Sequence, residues 1–97
     1  MPIFIKTELI KKEYLVQKDI RKKIINDHHK WIKDLKRKGI NIKSGFLVNG
    51  LKQPGAGGLL IIEIETYKDA LEIIKNDPMI KNNIVEWQLN EWIDIDQ

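Results

Sequence analysis

The chain has 97 residues, 42% of them hydrophobic and 32% charged, a balance that suits one globular domain over residues 1–97 and excludes wholesale disorder. It contains no Cys, which excludes disulfides, iron–sulfur clusters, thiolate zinc sites and a cysteine nucleophile; its two His are adjacent, which argues against a multi-histidine metal site. The formal charge of +3 conceals an asymmetry, since residues 1–48 hold 13 Lys/Arg against 5 Asp/Glu and residues 49–97 hold 4 against 9.

A basic half of this kind marks either a nucleic-acid face or one Lys-rich solvated helix. The longest apolar run, Leu59 to Ile62, is far short of a membrane span. The opening Met1-Pro2-Ile3-Phe4-Ile5-Lys6 lacks the basic-then-apolar layout of a secretion signal, so the expected compartment is the cytoplasm.

From Ile3 to Leu9 the chain alternates, with Ile3, Ile5, Thr7 and Leu9 against Phe4, Lys6 and Glu8, the period of a half-buried strand. From about Lys18 to Lys38 the spacing is helical: Ile20, Ile24, Ile25, Trp31, Ile32 and Leu35 share an arc of about 140°. Lys22, Lys23, Lys30, Lys33 and Arg37 occupy the other side, and Gly39 is the expected stop. Ile40, Ile42, Phe46 and Val48 predict a second strand, which the loop Asn49 to Gly57 breaks. A third strand follows over Gly58 to Glu65. Thr66 with Asp69 resembles a capping box that opens a short helix bearing Tyr67, Ala70, Leu71 and Ile74 on one face; Pro78 stops it at Asp77. Val85, Trp87, Leu89, Ile93 and Ile95 alternate as a fourth strand.

The order β-α-β-β-α-β predicts an α+β fold, a ferredoxin-like plait with both helices on one face of a four-stranded antiparallel sheet. The other face is expected to carry Phe4, Leu47, Leu59, Ile61 and Trp92. An apolar patch of this kind seldom stays bare, and packing against an identical sheet predicts a two-fold homodimer.

His28 falls in the middle of the apolar arc, where Leu would pack as well. It is either a core His satisfied by a backbone carbonyl or a general base facing a cleft. Its neighbour His29 lies at the margin of the arc and reads as solvated. Asp77 before Pro78 is a common turn former, and at a helix C-terminus a carboxylate is mildly disfavoured. Antiparallel helices would nevertheless bring it beside His28, where a His–Asp pair orients an imidazole and raises its basicity. Arg21, about 10 Å before His28 along the helix, either holds an anionic group or snorkels over the sheet edge. Ser44 can present a hydroxyl. The Gly-rich loop joins two strands rather than opening a helix, so it is no phosphate cradle and reads as a flexible hairpin.

The series His28, Trp31, Leu35, Gly39 and Gly45, followed by Gly57-Gly58-Leu59-Leu60-Ile61-Ile62, Ala70, Asp77-Pro78 and Val85-Glu86-Trp87…Trp92, resembles the YciI-like (YCII-related) family. The resemblance implies a ferredoxin-like fold forming a dimeric α/β barrel, with a cleft lined by a His and an Asp that correspond to His28 and Asp77. It also implies cofactor-free acid–base chemistry on a small, aromatic or ring-derived molecule, since one branch of the family is a dehydrochlorinase of a chlorinated hydroxyquinol. Two positions depart from the pattern. Ile25 stands where many members have Arg, which bears on any anion-binding role, and Phe46 stands where many have Pro, which bears on the pocket wall.

The leading expectation is therefore a homodimeric enzyme-like protein with a catalytic His28–Asp77 dyad and a substrate wall that draws on Arg21, Trp31, Ser44 and Phe46, with Trp87 a further aromatic candidate. No cofactor, metal, nucleic acid or membrane is expected. The alternative is a non-catalytic module that binds a small molecule or another protein. An RNA-binding plait is disfavoured because it needs aromatics on its two central strands, which offer only Phe4.

Overall fold

The computed structural model describes residues 1–96 of the 97. Four strands, β1 (Ile3–Ile10), β2 (Asn41–Val48), β3 (Pro54–Glu63) and β4 (Val85–Trp92), form one antiparallel sheet in the order β2-β3-β1-β4. Between β1 and β2 lie a single-turn helix α1 (Lys12–Leu15) and the long α2 (Lys18–Arg37); between β3 and β4 lie α3 (Tyr67–Ile74) and a second single turn, α4 (Pro78–Lys81). The α+β class and the antiparallel sheet are as expected.

Register decides which side chains meet the helices. Lys6 pairs with Leu60 and Leu89, and Leu60 pairs with Ser44, so these four side chains form a row on one face. The adjacent row on that face runs Phe46, Gly58, Glu8 and Trp87. Phe4, Ile42, Leu60, Ile62 and Leu89 of this face are buried with Ile32, Leu35, Ala70 and Ile74 of the helices. A second, smaller cluster joins Ile24, Met79, Ile84 and Val85. Phe4 is thus a core residue, 1% exposed, and not part of the open face. The open face carries Ile3, Ile5, Leu59 and Ile61 with the more exposed Leu47 and Trp92. Because both faces of β1 are apolar, its alternation cannot by itself say which parity points inward, and the expectation of Phe4 on the open face fails for that reason.

Local signals set the helix ends. Thr66 accepts a hydrogen bond from the Asp69 amide at 3.0 Å, the expected cap. Gly39 takes φ +87° directly after α2, and the Ile40 amide returns to the Leu35 carbonyl at 3.0 Å. Asp77 departs from expectation. Helix α3 stops at Ile74, and Asp77 is the N-cap of α4, its carboxylate accepting from the Met79 amide at 2.9 Å with Pro78 in the first helical position. A carboxylate is favoured there, not disfavoured.

The Gly-rich stretch is also more ordered than a flexible hairpin. Strand β3 begins at Pro54, paired with Val48 across an irregularity in the ladder. Gly57 has φ +95°, and a Cβ there would collide with the Glu8 carbonyl oxygen. Gly57→Ala should therefore destabilise the protein by more than the ~1–2 kcal/mol of a left-handed non-Gly residue. Gly45→Ala, which meets nothing within 4 Å, should change stability by less than about 0.5 kcal/mol; urea denaturation of the two variants checks both.

Candidate active site

His28 projects from the middle of α2, 7% exposed, between the two apolar clusters. Its Nδ1 lies 2.8 Å from Asp77 Oδ1 and its Nε2 lies 2.8 Å from Ser44 Oγ. Asp77 is fully buried, and its carboxylate has a third partner: Lys6 Nζ donates to Oδ2 at 2.6 Å. The same ammonium, also 0% exposed, contacts Glu8 Oε1 at 2.6 Å. A continuous polar chain thus runs Ser44–His28–Asp77–Lys6–Glu8 across three elements and the α3–α4 junction. Among the described residues, no buried side-chain nitrogen or oxygen lacks a hydrogen-bond partner.

Burial pushes the Asp77 carboxyl up, but the hydrogen bond from His28, the nearby positive charges of Lys6 and His28, and the Lys6 hydrogen bond together hold it below the ordinary aspartate range. It is therefore a carboxylate and can only accept. That sets the tautomer of a neutral His28, with Nδ1–H donating to Asp77 and Nε2 presenting its lone pair to the Ser44 hydroxyl. Ser44 completes an arrangement in which only the His and Asp were expected to meet. No nucleophile-elbow turn carries it: the hydroxyl stands on the middle of β2, in the same cross-strand row as Lys6 with Leu60 between them.

Three members of this chain border a cavity of about 600 Å³. His28, Ser44 and Glu8 form part of its wall, with Leu9, Leu15, Ile25, Phe46 and Met79 supplying apolar surface. Glycines shape its floor, since Gly58 stands between Phe46 and Glu8 in the register and a Cβ there would come within 3.0 Å of Glu8 Cγ. Phe46 stands 72% exposed at the edge.

The remaining candidates fall differently. Arg21 lines the cavity, but its Nη1 donates to the Tyr14 and Leu15 carbonyls at 3.0 and 2.6 Å and so pins the end of α1. Trp31 is outside the cavity wall; its ring lies 5.7 Å from that of His28 and packs, half-buried, on the core. Trp87 is likewise packed between the two clusters. His29 is exposed and reaches the cavity rim. Lys6 and Glu8 were not singled out from sequence. The available signal was a Lys sharing the strand parity of Phe4, masked because the opposite parity is equally apolar. Among the described residues no three His, Asp or Glu side chains gather as a metal ion would require.

Residues 6–93 match the YCII-related domain. No curated protein sequence matches the chain. Among solved structures, the chain is similar to 5-chloro-2-hydroxyhydroquinone dehydrochlorinase (TftG) from Burkholderia phenoliruptrix AC1100, determined in complex with 2,5-dihydroxybenzoquinone: TM-score 0.71, 20% identity, covering 94% of this chain and 93% of that one. It is also similar to the de novo designed protein Ferredog-Diesel, with TM-score 0.60 and 11% identity over 93% of this chain and 84% of the other. At these identities both likenesses concern the fold.

Because the folded Asp77 carboxyl is held below its unfolded value of about 3.9, its stabilising contribution is complete above that value and is lost as pH falls through the folded one. Asp77→Asn should weaken this acid dependence and, by leaving Lys6 and His28 without their carboxylate, cost about 3–5 kcal/mol at neutral pH. Denaturant unfolding of both proteins between pH 2 and pH 7 (about the span over which an Asp is titrated) reads the two effects together.

Proposed function

The chain belongs to the YCII-related family, and from that premise and the site geometry we propose that it is a small cytoplasmic, homodimeric enzyme that uses His28 and Asp77 for acid–base chemistry on a ring-sized molecule. The observation that carries this reading is one imidazole bonded on both nitrogens, to a buried carboxylate and to a hydroxyl, at the wall of a cavity large enough for such a ligand.

In this reading Nε2 takes a proton from the substrate while Nδ1–H stays on Asp77, whose charge stabilises the imidazolium that forms. The Ser44 hydroxyl yields its place at Nε2 to the substrate and then serves as a donor or acceptor beside the reacting atom. Lys6 holds the other carboxylate oxygen and so keeps Asp77 ionised and oriented. Loss of hydrogen chloride from a chlorinated hydroquinol, the reaction named for the structurally similar dehydrochlorinase, needs such a base to remove the proton while chloride departs as an anion. The apolar wall of Leu9, Ile25 and Phe46 suits a planar ring.

The expected outcome is turnover of substituted hydroxyhydroquinones, followed by ultraviolet–visible absorbance, that drops by about 10²–10⁴-fold in His28→Ala while the fold persists by circular dichroism. Full activity in His28→Gln would assign the residue a structural role only. Ring compounds that bind to the cavity but are never converted would support the non-catalytic module instead.

Association through the open sheet face is the second part of the proposal. Ile5, Leu59 and Ile61 sit at its centre, with Leu47 and Trp92 about half exposed toward the margins, a patch that an identical sheet related by a two-fold axis would cover. Ile61→Glu should convert the dimer to a monomer in multi-angle light scattering; a monomeric wild-type chain would overturn this part.

A further inference from the structure

Resting on the reading of the cavity as a substrate site, we infer that Glu8 is its specificity-determining residue: a carboxylate that accepts a hydrogen bond from a hydroxyl or amine of a neutral ligand and turns away carboxylate-bearing ones.

Glu8 stands on the helix-facing side of β1, in the row next to Lys6, and lines the same cavity as His28 and Ser44. Lys6 engages Oε1. The other oxygen has no donor among the hydrogen bonds of the described residues, yet no buried polar atom there is unsatisfied. With the side chain 10% exposed on a residue that lines the cavity, that oxygen is not sealed from solvent. Gly58, opposite, leaves the carboxylate uncovered, because a Cβ would lie 3.3 Å from Glu8 Cδ.

Two cations lie near this space, and each has partners in the protein. Lys6 is fully buried beneath the cavity and shared by two carboxylates. Arg21 gives Nη1 to two backbone carbonyls at the end of α1, which ties that nitrogen to the protein while its charge stays on the wall, so Glu8 opposes an anion there in competition with it. Ile25, one helical turn before His28, adds apolar wall where a charge could have stood. A ligand carboxylate entering this space would meet the negative charge of Glu8 with no uncommitted Lys on the wall. A donor group would find an acceptor of the right sign held in place by Lys6.

Two probes of nearly the same shape separate the possibilities: 2,5-dihydroxybenzamide, which is neutral, and 2,5-dihydroxybenzoate, which is anionic. Titration of each into the full chain, followed by the NMR signals of the His28 ring, should show the amide binding at least about tenfold more tightly, the scale of one like-charge contact in a partly solvated site. Glu8→Gln should bring the ratio to within about threefold, and Glu8→Asp, which keeps the charge, should preserve most of it. Equal or tighter binding of the benzoate by the wild-type protein, an unchanged ratio in Glu8→Gln, or no response of His28 to either probe would each overturn the assignment. Since binding and not turnover is read, this outcome is independent of whether His28→Ala abolishes catalysis.

Discussion

An ammonium and a carboxylate taken wholly out of water, Lys6 and Asp77, constrain the rest of this molecule. Each ion would cost several kcal/mol to bury alone, so every element that touches them has to supply a partner in the right place. Strand β1 brings Lys6 and Glu8, α2 brings His28, and the α3–α4 junction brings Asp77 together with the Met79 amide. In each of these elements the polar group stands between residues of the two apolar clusters: Phe4 and Ile10 flank it on β1, Ile32 and Ile24 on α2, Ile74 and Met79 around Asp77. The network is a polar seam through the core. A one-residue slip of β1 would turn Lys6 to the open face and carry Thr7 inward, stranding Asp77, so the ion pair specifies register as well as contributing charge.

The same constraint prepares the chemistry. An Asp with three donors around it stays ionised, and an ionised Asp dictates which nitrogen of His28 carries the proton. The Nε2 end of the imidazole is thereby aimed at Ser44 on the cavity wall, with both groups carried by regular elements, a helix and a strand, and not by loops. By contrast, the far wall is built from the exposed Phe46, the Gly-rich start of β3 and the single turn α1, which Arg21 tethers.

Charge is partitioned with equal consequence. The surplus of Lys and Arg in the first half of the chain sits largely on the solvent side of α2, where Lys22, Lys23, Lys30 and Lys33 are exposed. Their surface pairs, such as Lys23 with Asp27 at 3.8 Å, contribute little to stability. The one Lys that matters to the site is the buried one. The open sheet face, with Phe4 turned inward, carries Trp92 on the edge strand β4 and, among the described residues, no aromatic side chain on the central strands β1 and β3.

Periodicity and punctuation were enough to read the element order, the α2 stripe, the Thr66 cap and the Gly39 stop, because these depend on residues close in sequence. Spacing also singled out His28, a polar group where an apolar one would pack, and topology singled out Asp77, which antiparallel helices would bring beside it. The two one-turn helices escaped notice, being too short to show a period, and Asp77 looked like a helix end because Pro78 both stops one helix and starts another. The inward parity of β1 was beyond reach of the sequence: with apolar residues on both faces, alternation is symmetric. Only the pairing of β1 with β3 and β4 under the helices breaks that symmetry, and with it come the burial of Lys6, the approach of Glu8 to the cavity and the placing of Ser44 against His28. These depend on contacts between residues far apart in sequence, 71 positions for Lys6 and Asp77, which local pattern does not encode and three-dimensional packing alone decides.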